Sequence, residues 1–481
     1  MTNKMLKFVS LSQRQPEKRS AKIRRADFDE IYKKFTSDRA VEQASRCSQC
    51  GVPFCSVYCP LGNNIPDWLM LTAQGRIEEA YRLSSATNTF PDICGRVCPQ
   101  DRLCEGHCVV EPSFQSVTIG AIERYITDTA FERGWVKPIA PVSERDHSIG
   151  IIGAGPAGLA AASRLRAKGF QVHIYDRYDR VGGLLVYGIP SFKLEKHNIM
   201  RWHTWLEESG VVFHLGRGIG SREGELSFEE VRFRHNAILI ATGVYKPREL
   251  YIPGNYLSGV EHALAYLIAS NKRTFGEHLS SHASRLDAKG KSVVVLGGGD
   301  TAMDCVRTAI RQGAASVKCL YRRDRDNMPG SRREVQNAEE EGAIFEWFIA
   351  PEAFLGQDHV KDVRVLRMMP GLPDASGRQS VEPIDGSSFT IKADLVIKAL
   401  GFDPEPLPQL WQQPELAVTD RGTLYVDNFS MTSLPGVFAA GDIVRGASLV
   451  VWAIRDGQEV ALNIQQWIET NTVSSITAER E

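Results

Sequence analysis

Cysteine is concentrated in one part of this chain. Of its ten cysteines, eight lie between residues 47 and 108, in two blocks. The first block contains Cys47, Cys50, Cys55 and Cys59, and the second contains Cys94, Cys98, Cys104 and Cys108. Thiols at this density either bind metal or pair as disulfides. The amino-terminal part of the chain must therefore fold around one of these two kinds of cross-link.

Three kinds of site can account for the two blocks. Proline directly follows Cys59 and Cys98, as in the Cys-Pro ending of bacterial ferredoxin runs, so we predict two iron–sulfur clusters of the 4Fe–4S type. Structural zinc also uses short Cys-x2-Cys loops and remains an alternative. Disulfides are the third alternative, although the rest of the chain has the pattern of a cytosolic enzyme, in which thiols stay reduced. Cys305 and Cys319 stand apart, and we predict that they are small buried apolar residues.

Length, charge and hydropathy exclude several function classes. A chain of 481 residues is too long for one domain and suggests about three. The formal net charge of −1 gives no case for binding nucleic acid or an anionic membrane. Residues 148–163 are uncharged, but they are fewer than the ~20 that a spanning helix needs. Since no secretory signal is visible either, we expect a cytoplasmic protein without a membrane segment.

Hydrophobic periodicity divides the chain into two kinds of structure. Residues 1–145 show helical spacing of apolar residues, so we predict a helical domain with cysteine-bearing loops. After Pro138 and Pro141, short β-branched runs alternate with glycine turns and helices. This alternation predicts two doubly wound α/β domains, whose first strands begin near residues 149 and 292.

The first glycine-rich turn predicts a dinucleotide site. It follows an apolar strand, opens a helix, and reads Gly153, Ala154, Gly155, Pro156, Ala157 and Gly158. These glycines allow a tight turn, close approach to a pyrophosphate and close packing of helix on strand. Asp176 ends the next predicted strand, at the distance expected for an acid that binds ribose.

Two further segments suggest that this first dinucleotide is FAD. Gly183 and Leu184 follow Asp176 closely and suit backbone contact with a flavin. Near the carboxyl end, Gly441 and Asp442 follow a predicted strand, where the aspartate can bond a ribitol hydroxyl group. We therefore assign these residues to FAD together with the first turn.

The second glycine-rich turn predicts an NADPH site. It contains Gly297, Gly298, Gly299, Asp300, Thr301 and Ala302, with alanine in the third fingerprint place. The next strand ends at Arg322 and Arg323 instead of an acid. Guanidinium groups favour a 2′-phosphate, so we predict NADPH rather than NADH. Arg332 and Arg333 are further candidates for the same phosphate.

These assignments set the predicted domain limits. Residues 1–145 form the domain that binds two 4Fe–4S clusters. The FAD-binding domain consists of two segments, 146–270 and 394–481. The NADPH-binding domain, residues 271–393, is inserted between them.

Taken together, the motifs closely resemble the small (beta) chains of bacterial NADPH-dependent glutamate synthases. The likeness covers nearly the whole chain and is most specific at residues 94–106, 118–125, 297–307 and 328–335. The amino-terminal module and the flavin domains also resemble dihydropyrimidine dehydrogenase. The resemblance implies FAD and NADPH domains packed like those of adrenodoxin reductase.

The resemblance also implies how the cysteines share the clusters. Cluster 1 would be held by Cys47, Cys50, Cys55 and Cys108. Cluster 2 would be held by Cys59, Cys98, Cys104 and Glu123. Cys94 would then lie beside cluster 2 without ligating it, and it is the alternative to Glu123 as the eighth ligand.

The family's activity implies that NADPH is oxidised and that electrons pass through FAD and the clusters to FMN on a large (alpha) subunit. That subunit makes glutamate from glutamine and 2-oxoglutarate, so we expect a hetero-oligomer. Thr2 follows Met1, and no cysteine stands in a nucleophile context, so glutamine chemistry is expected on the partner. No side chain is expected to be a catalytic acid or base, because hydride transfer belongs to the cofactors.

Two other functions remain open on the sequence. One is a related flavin and iron–sulfur subunit that exchanges electrons between NADP(H) and ferredoxin, sulfide or another partner. The other is a scaffold without enzyme activity that is stabilised by zinc.

Replacing the arginine pair tests the choice of nucleotide. Arg322→Ala combined with Arg323→Ala should raise the KM for NADPH far more than the KM for NADH, because NADPH alone carries the 2′-phosphate. Steady-state kinetics with both nucleotides measures this difference, and equal effects would reject the assignment.

Overall fold

The amino-terminal module is helical, as predicted. The computed structural model describes residues 5–373 and 379–478. The helices of the module are α1 (Ala21–Arg24), α2 (Ser37–Ala44), α3 (Phe54–Val57), α4 (Ile65–Ala73), α5 (Ile77–Thr87), α6 (Pro91–Val97), α7 (Glu111–Phe114) and α8 (Ile119–Glu132). Two short 3-10 helices, Lys7–Val9 and Gln100–Arg102, lie in its loops.

The core of this module positions the cysteine loops. Trp68 and Ile122 are fully buried between α4 and α8, and the indole of Trp68 donates to the side chain of Asn63 at 3.2 Å. Burying one large apolar side chain contributes about 1.5–3 kcal/mol to the free energy of unfolding. Cys47 belongs to this core, and Cys55 packs against it. The helices therefore fix the loops that carry the thiols.

The first α/β unit contains a five-stranded parallel sheet in the order β16-β4-β1-β2-β3. The elements of this unit are β1 (Ser148–Ile152), α9 (Pro156–Ala167), β2 (Gln171–Asp176), α10 (Leu184–Tyr187), α11 (His197–Glu208), β3 (Val212–Leu215), α12 (Phe228–Arg234), β4 (Ala237–Ile240) and, from the carboxyl-terminal part, β16 (Val437–Ala439). The last strand shows that the carboxyl-terminal segment completes this sheet.

The second α/β unit has a parallel sheet in the order β6-β14-β7-β8-β9. Its elements are β6 (Val260–His262), α13 (Ala263–Thr274), α14 (Ser281–Arg285), β7 (Ser292–Leu296), α15 (Asp300–Arg311), β8 (Ser316–Tyr321), α16 (Arg332–Glu341), β9 (Ile344–Trp347) and β14 (Leu395–Lys398). Strands β6 and β14 lie outside the predicted 271–393 segment, yet they pair within this sheet. The predicted domain limits stay predictions.

An antiparallel β insertion and several short elements complete the chain. The insertion comprises β10 (Ile349–Gly356), β11 (Val360–Pro373), β12 (Gln379–Pro383) and β13 (Phe389–Lys392). The remaining elements are β5 (Lys246–Pro247), β15 (Phe402–Asp403), α17 (Leu407–Leu410), α18 (Asp442–Arg445) and α19 (Val450–Ala478). In the described parts of the chain, we find no helix that combines the length and the apolar character needed to cross a bilayer.

Helix α19 packs closely against α9. A Cβ atom at Gly457 would lie 2.1 Å from the carbonyl oxygen of Ala157, so only glycine allows this approach. The long helix thereby reaches the residues that follow the first glycine turn.

Buried ion pairs join the amino-terminal module to both α/β units. Arg96 of α6 contacts Glu30 and Asp128 at 2.8 Å each, and Arg201 of α11 contacts Asp128 at 2.7 Å. The contact between the module and the second α/β unit centres on Glu341 of α16. Its carboxylate lies 3.0 Å from Arg24 of the module, and 2.9 and 2.6 Å from Arg307 and Arg311 of the second unit.

Removing the charge of Glu341 should destabilise the protein strongly. Glu341→Gln leaves three buried guanidinium groups without their shared carboxylate, which costs about 3–5 kcal/mol. The matched control is Glu339→Gln on the same helix, because Glu339 is 34% exposed and pairs with the exposed Arg325, so its loss should cost about 1 kcal/mol or less. Urea unfolding followed by circular dichroism compares the two variants, and equal losses would contradict the role given to Glu341.

Candidate cofactor sites

The first glycine turn has the geometry of a pyrophosphate site. Gly153 has a φ of 117°, and a Cβ atom there would lie 2.3 Å from the carbonyl oxygen of Ala241. A Cβ at Gly158 would lie 2.0 Å from the carbonyl oxygen of Gly153. A Cβ at Gly155 would meet no atom within 4 Å, so the turn is open on that side. The free amino end of α9 faces this opening and can receive phosphate.

Asp176 is held at the same turn by the backbone. Its Oδ2 accepts from the amide of Ala154 at 2.7 Å, and its Oδ1 accepts from the amide of Tyr178 at 2.8 Å. Burial raises the pKa of Asp176, while these two amides oppose the rise. Next to it, the guanidinium group of Arg177 lies over the ring of Tyr245, 4.6 Å from its centre.

A cavity of about 250 Å³ connects the residues assigned to FAD. Its lining includes Gly153, Gly155, Pro156, Ala157, Asp176, Gly183, Leu184 and Asp442. Gly158 and Gly441 lie directly behind this wall, and a Cβ at Gly441 would be 2.9 Å from the Cβ of Ala157. The hydroxyl group of Thr242 also lines the cavity, buried and without a hydrogen-bond partner among the described residues. A buried polar atom of this kind fits a cavity that receives a polar ligand.

Asp442 is the first residue of α18 and lines the cavity. Burial raises the pKa of Asp442 to about 6, and a backbone hydrogen bond from Ser448 opposes the rise. Gly441 precedes it with a φ of 78°, a conformation that favours glycine.

The second glycine turn repeats the geometry of the first. Gly297 has a φ of 137°, and a Cβ there would lie 2.3 Å from the carbonyl oxygen of Ala399. A Cβ at Gly299 would meet nothing within 4 Å. Asp300 and Thr301 begin α15, and the buried Ala302 follows them. Asp300 and Thr301 also line the cavity of about 250 Å³ described above, which is called the flavin cavity below. The two turns therefore share one cavity.

The predicted phosphate-binding arginines differ in exposure. Arg322 and Arg332 are exposed, and Arg332 is the first residue of α16. Arg323 is only 5% exposed. Arg333 lies 5.8 Å from the ring of Tyr32, at the contact with the amino-terminal module. Of the four candidates, Arg322 and Arg332 are the ones open to a ligand from solvent.

The thiols predicted for cluster 1 lie near each other. Burial raises the pKa of Cys47 to about 11, and the neighbouring thiols of Cys108 and Cys50 add to the rise. Burial likewise raises the pKa of Cys55 to about 12, with additional effects from Cys108 and Cys47. These mutual effects show that the four thiols lie in one neighbourhood.

The residues predicted for cluster 2 line a second, smaller cavity. Its lining includes Cys59, Cys94, Cys98, Cys104 and Glu123. Burial raises the pKa of Cys59 to about 11, and the charge of Glu123 contributes. The cavity therefore brings together the donors predicted for cluster 2, which are three thiols and one carboxylate, with Cys94 as the alternative ligand. Within residues 5–373 and 379–478, no three His, Cys, Asp or Glu side chains form a group suited to a metal ion.

Glu123 is a buried carboxylate with amide partners. Its Oε1 accepts from the side chains of Asn63 at 3.0 Å and Asn88 at 3.1 Å. Burial raises the pKa of Glu123 to about 8, and these amides oppose the rise. Cys94 lies beside it, and its thiol donates to Asn88 at 3.8 Å. Glu123 and Cys94 both line the cavity predicted for cluster 2, so the assignment of the eighth ligand stays a prediction.

The segment Val97, Cys98 and Pro99 lies between the two cavities. All three residues line the cavity of about 250 Å³, and Cys98 also lines the smaller cavity predicted for cluster 2. Sequence reasoning missed Lys193 and Asp304, which line the flavin cavity as well. A single lysine and a helical aspartate carry no motif, so no sequence pattern points to them.

Two variants distinguish the candidates for the eighth ligand. If Glu123 holds cluster 2, Glu123→Gln should reduce iron and acid-labile sulfide to about half, because each 4Fe–4S cluster requires a complete ligand set. Cys94→Ser should then retain full iron and sulfide. The reverse pattern would assign the cluster to Cys94, and metal analysis of anaerobically purified protein decides between them.

Two family models match the chain. The model described as dihydropyrimidine dehydrogenase domain II, 4Fe-4S cluster, matches residues 24–135. The model described as pyridine nucleotide-disulphide oxidoreductase matches residues 147–457. The first match covers the cysteine blocks, and the second covers both glycine turns.

Known proteins resemble the whole chain. The glutamate synthase [NADPH] small chain of Azospirillum brasilense is 59% identical over 481 residues, covering 99% of each chain. That of Escherichia coli K12 is 43% identical, covering 98% of this chain and all of the relative. The structure of Mycobacterium tuberculosis FprA in complex with NADPH shares the fold, with a TM-score of 0.58, 18% identity, and coverage of 69% of this chain and 86% of that one. The chain therefore belongs to the pyridine nucleotide-disulphide oxidoreductases and, among them, to the family of glutamate synthase small chains.

Proposed function

We propose that this chain is the NADPH-oxidising, electron-input subunit of a glutamate synthase. In this proposal, a hydride passes from NADPH to FAD, and electrons then pass through two 4Fe–4S clusters to FMN on a large subunit. The large subunit uses them to make glutamate from glutamine and 2-oxoglutarate. The observation that carries the proposal is the shared cavity, whose walls come from both glycine turns and from the cysteine segment at Cys98.

The predicted site residues bind the cofactors. FAD is held by the first turn, Asp176, the Gly183–Leu184 pair and the Gly441–Asp442 pair. NADPH is held by the second turn, with Arg322 and Arg332 at the 2′-phosphate. The clusters are held by the interleaved cysteines, with Glu123 as the eighth ligand.

The chain's own residues bind and orient the cofactors rather than react. When bound, FAD accepts two electrons as a hydride and releases them singly, which the clusters require. The open turns at Gly155 and Gly299 leave room for two pyrophosphates. Contact between Cys98 and the flavin cavity keeps the path to cluster 2 short.

The names of the relatives support a large-subunit partner. The protein of Azospirillum brasilense is called the small chain of glutamate synthase, which implies a larger chain beside it. We infer the same hetero-oligomer for this chain and place FMN on the partner.

The proposal is tested with the purified chain and the co-expressed large chain. Under anaerobic conditions, NADPH should remove the visible absorbance of the flavin. The assembled complex should then form glutamate from glutamine and 2-oxoglutarate with NADPH as the electron donor.

The control variant is Cys98→Ala, which removes a predicted ligand of cluster 2. It should retain reduction of the flavin by NADPH but lose NADPH-dependent glutamate formation. A wild-type chain whose flavin is not reduced by NADPH would overturn the proposal. Transfer to a ferredoxin without any glutamate formation would instead favour a related electron-transfer subunit.

A further inference from the structure

The second glycine turn differs from the first in the residue that begins its helix. Helix α9 begins with Pro156, whereas α15 begins with Asp300, which is 35% exposed. A pyrophosphate at the amino end of α15 would bring negative charge close to this carboxylate, and like charges repel each other. Residues 297–302 contain no lysine or arginine. A nucleotide at this turn therefore needs a cation from another part of the chain.

The amino-terminal module supplies a guanidinium group at this place. Arg102 ends the short 3-10 helix that lies between Cys98 and Cys104. Its Nη2 lies 3.5 Å from Oδ2 of Asp300, and its Nη1 donates to the carbonyl oxygen of Pro329 at 2.7 Å. The side chain of Arg102 is 45% exposed. Because a guanidinium group has several N–H donors, Arg102 can bond a ligand from solvent while it keeps these contacts.

Two hydrogen bonds hold the loop that contacts Arg102 against the second turn. The amide of Gly330 donates to the carbonyl oxygen of Gly298 at 2.9 Å. The amide of Ser331 donates to Oδ1 of Asp300, also at 2.9 Å. The partner of Arg102 is thus tied to the turn itself, so the guanidinium group keeps its place beside the amino end of α15.

We propose that Arg102 is a binding residue for NADPH, and that its guanidinium group bonds the pyrophosphate at the second turn. This inference rests on the NADPH site proposed above. Phosphate oxygens accept charge-assisted, often bidentate hydrogen bonds from guanidinium groups, so arginine suits this role. The amino-terminal module then forms one wall of the nucleotide site, and nucleotide binding depends on the folded segment between Cys98 and Cys104.

A bond to the pyrophosphate differs in its consequences from a bond to the 2′-phosphate. The pyrophosphate is common to the NADP and NAD nucleotides, whereas the 2′-phosphate belongs to NADP alone. Loss of Arg102 should therefore weaken the binding of both nucleotides by the same factor. Loss of Arg322, which is predicted to lie at the 2′-phosphate, should weaken the binding of the NADP nucleotides selectively.

The test is isothermal titration calorimetry of the purified holoprotein with NADP⁺, NAD⁺ and adenosine 2′-monophosphate, which has no pyrophosphate. Arg102→Met should raise the Kd for NADP⁺ and for NAD⁺ by roughly tenfold each, the loss of one charge-assisted hydrogen bond. The Kd for adenosine 2′-monophosphate should stay at the wild-type value. The matched control is Arg82→Met, which removes a 73% exposed arginine of the same module and should change none of the three.

A second background separates direct binding from neutralisation of the nearby acid. Asp300→Asn removes the carboxylate charge and keeps an oxygen for the amide of Ser331. In this background, Arg102→Met should still raise the Kd for NADP⁺, because the bond to the pyrophosphate is lost in either background. If Arg102→Met does not fold, Arg102→Gln keeps a donor for the carbonyl oxygen of Pro329 and carries the same test.

Three outcomes would overturn the inference. The Kd for NADP⁺ could equal that of the wild type, adenosine 2′-monophosphate could lose as much affinity as NADP⁺, or the effect of Arg102→Met could vanish in the Asp300→Asn background. The last result would mean that Arg102 acts only through Asp300. A wild-type protein that does not bind NADP⁺ would instead overturn the proposed function, so the two failures are distinguishable.

Discussion

Buried ion pairs between distant parts of the chain hold the three predicted cofactor regions around one cavity. Arg24 of the amino-terminal module meets Glu341 of the second unit at 3.0 Å, and Arg96 and Arg201 share Asp128 across the contact with the first unit. Arg102 bonds the carbonyl oxygen of Pro329 at 2.7 Å, next to the second turn. These contacts fix where Cys98 lies relative to both dinucleotide turns.

Such pairs contribute more to geometry than to net stability. Desolvating two charges costs about as much as their attraction returns, so apolar residues could stabilise the same contacts equally well. An ion pair forms, however, only when both side chains lie within a few ångströms of each other. Losing one partner leaves a buried unpaired charge, which lowers the stability of the protein. Electron transfer between bound cofactors needs short, constant distances, which explains why a three-part chain would retain these charges at its internal contacts.

Local features of the fold were predictable from the sequence, and non-local ones were not. The turn at Gly153 follows from a short-range glycine pattern, and the helical nature of the amino-terminal module follows from the spacing of its apolar residues. The pairing of β6 and β14 with the second sheet depends on contacts between distant residues. Arg322 and Arg323 are adjacent, yet one is exposed and the other is buried, because neighbouring residues at a strand end point in opposite directions. Lys193 had no motif and emerged only from its place in the cavity.

Cofactor content tests the account most directly. The chain should be purified anaerobically, and flavin, iron and acid-labile sulfide should be measured per polypeptide. We expect one FAD with about eight iron and about eight sulfide, four of each per cluster. One FAD with zinc and without sulfide would keep the dinucleotide half of the account and contradict the electron-transfer half.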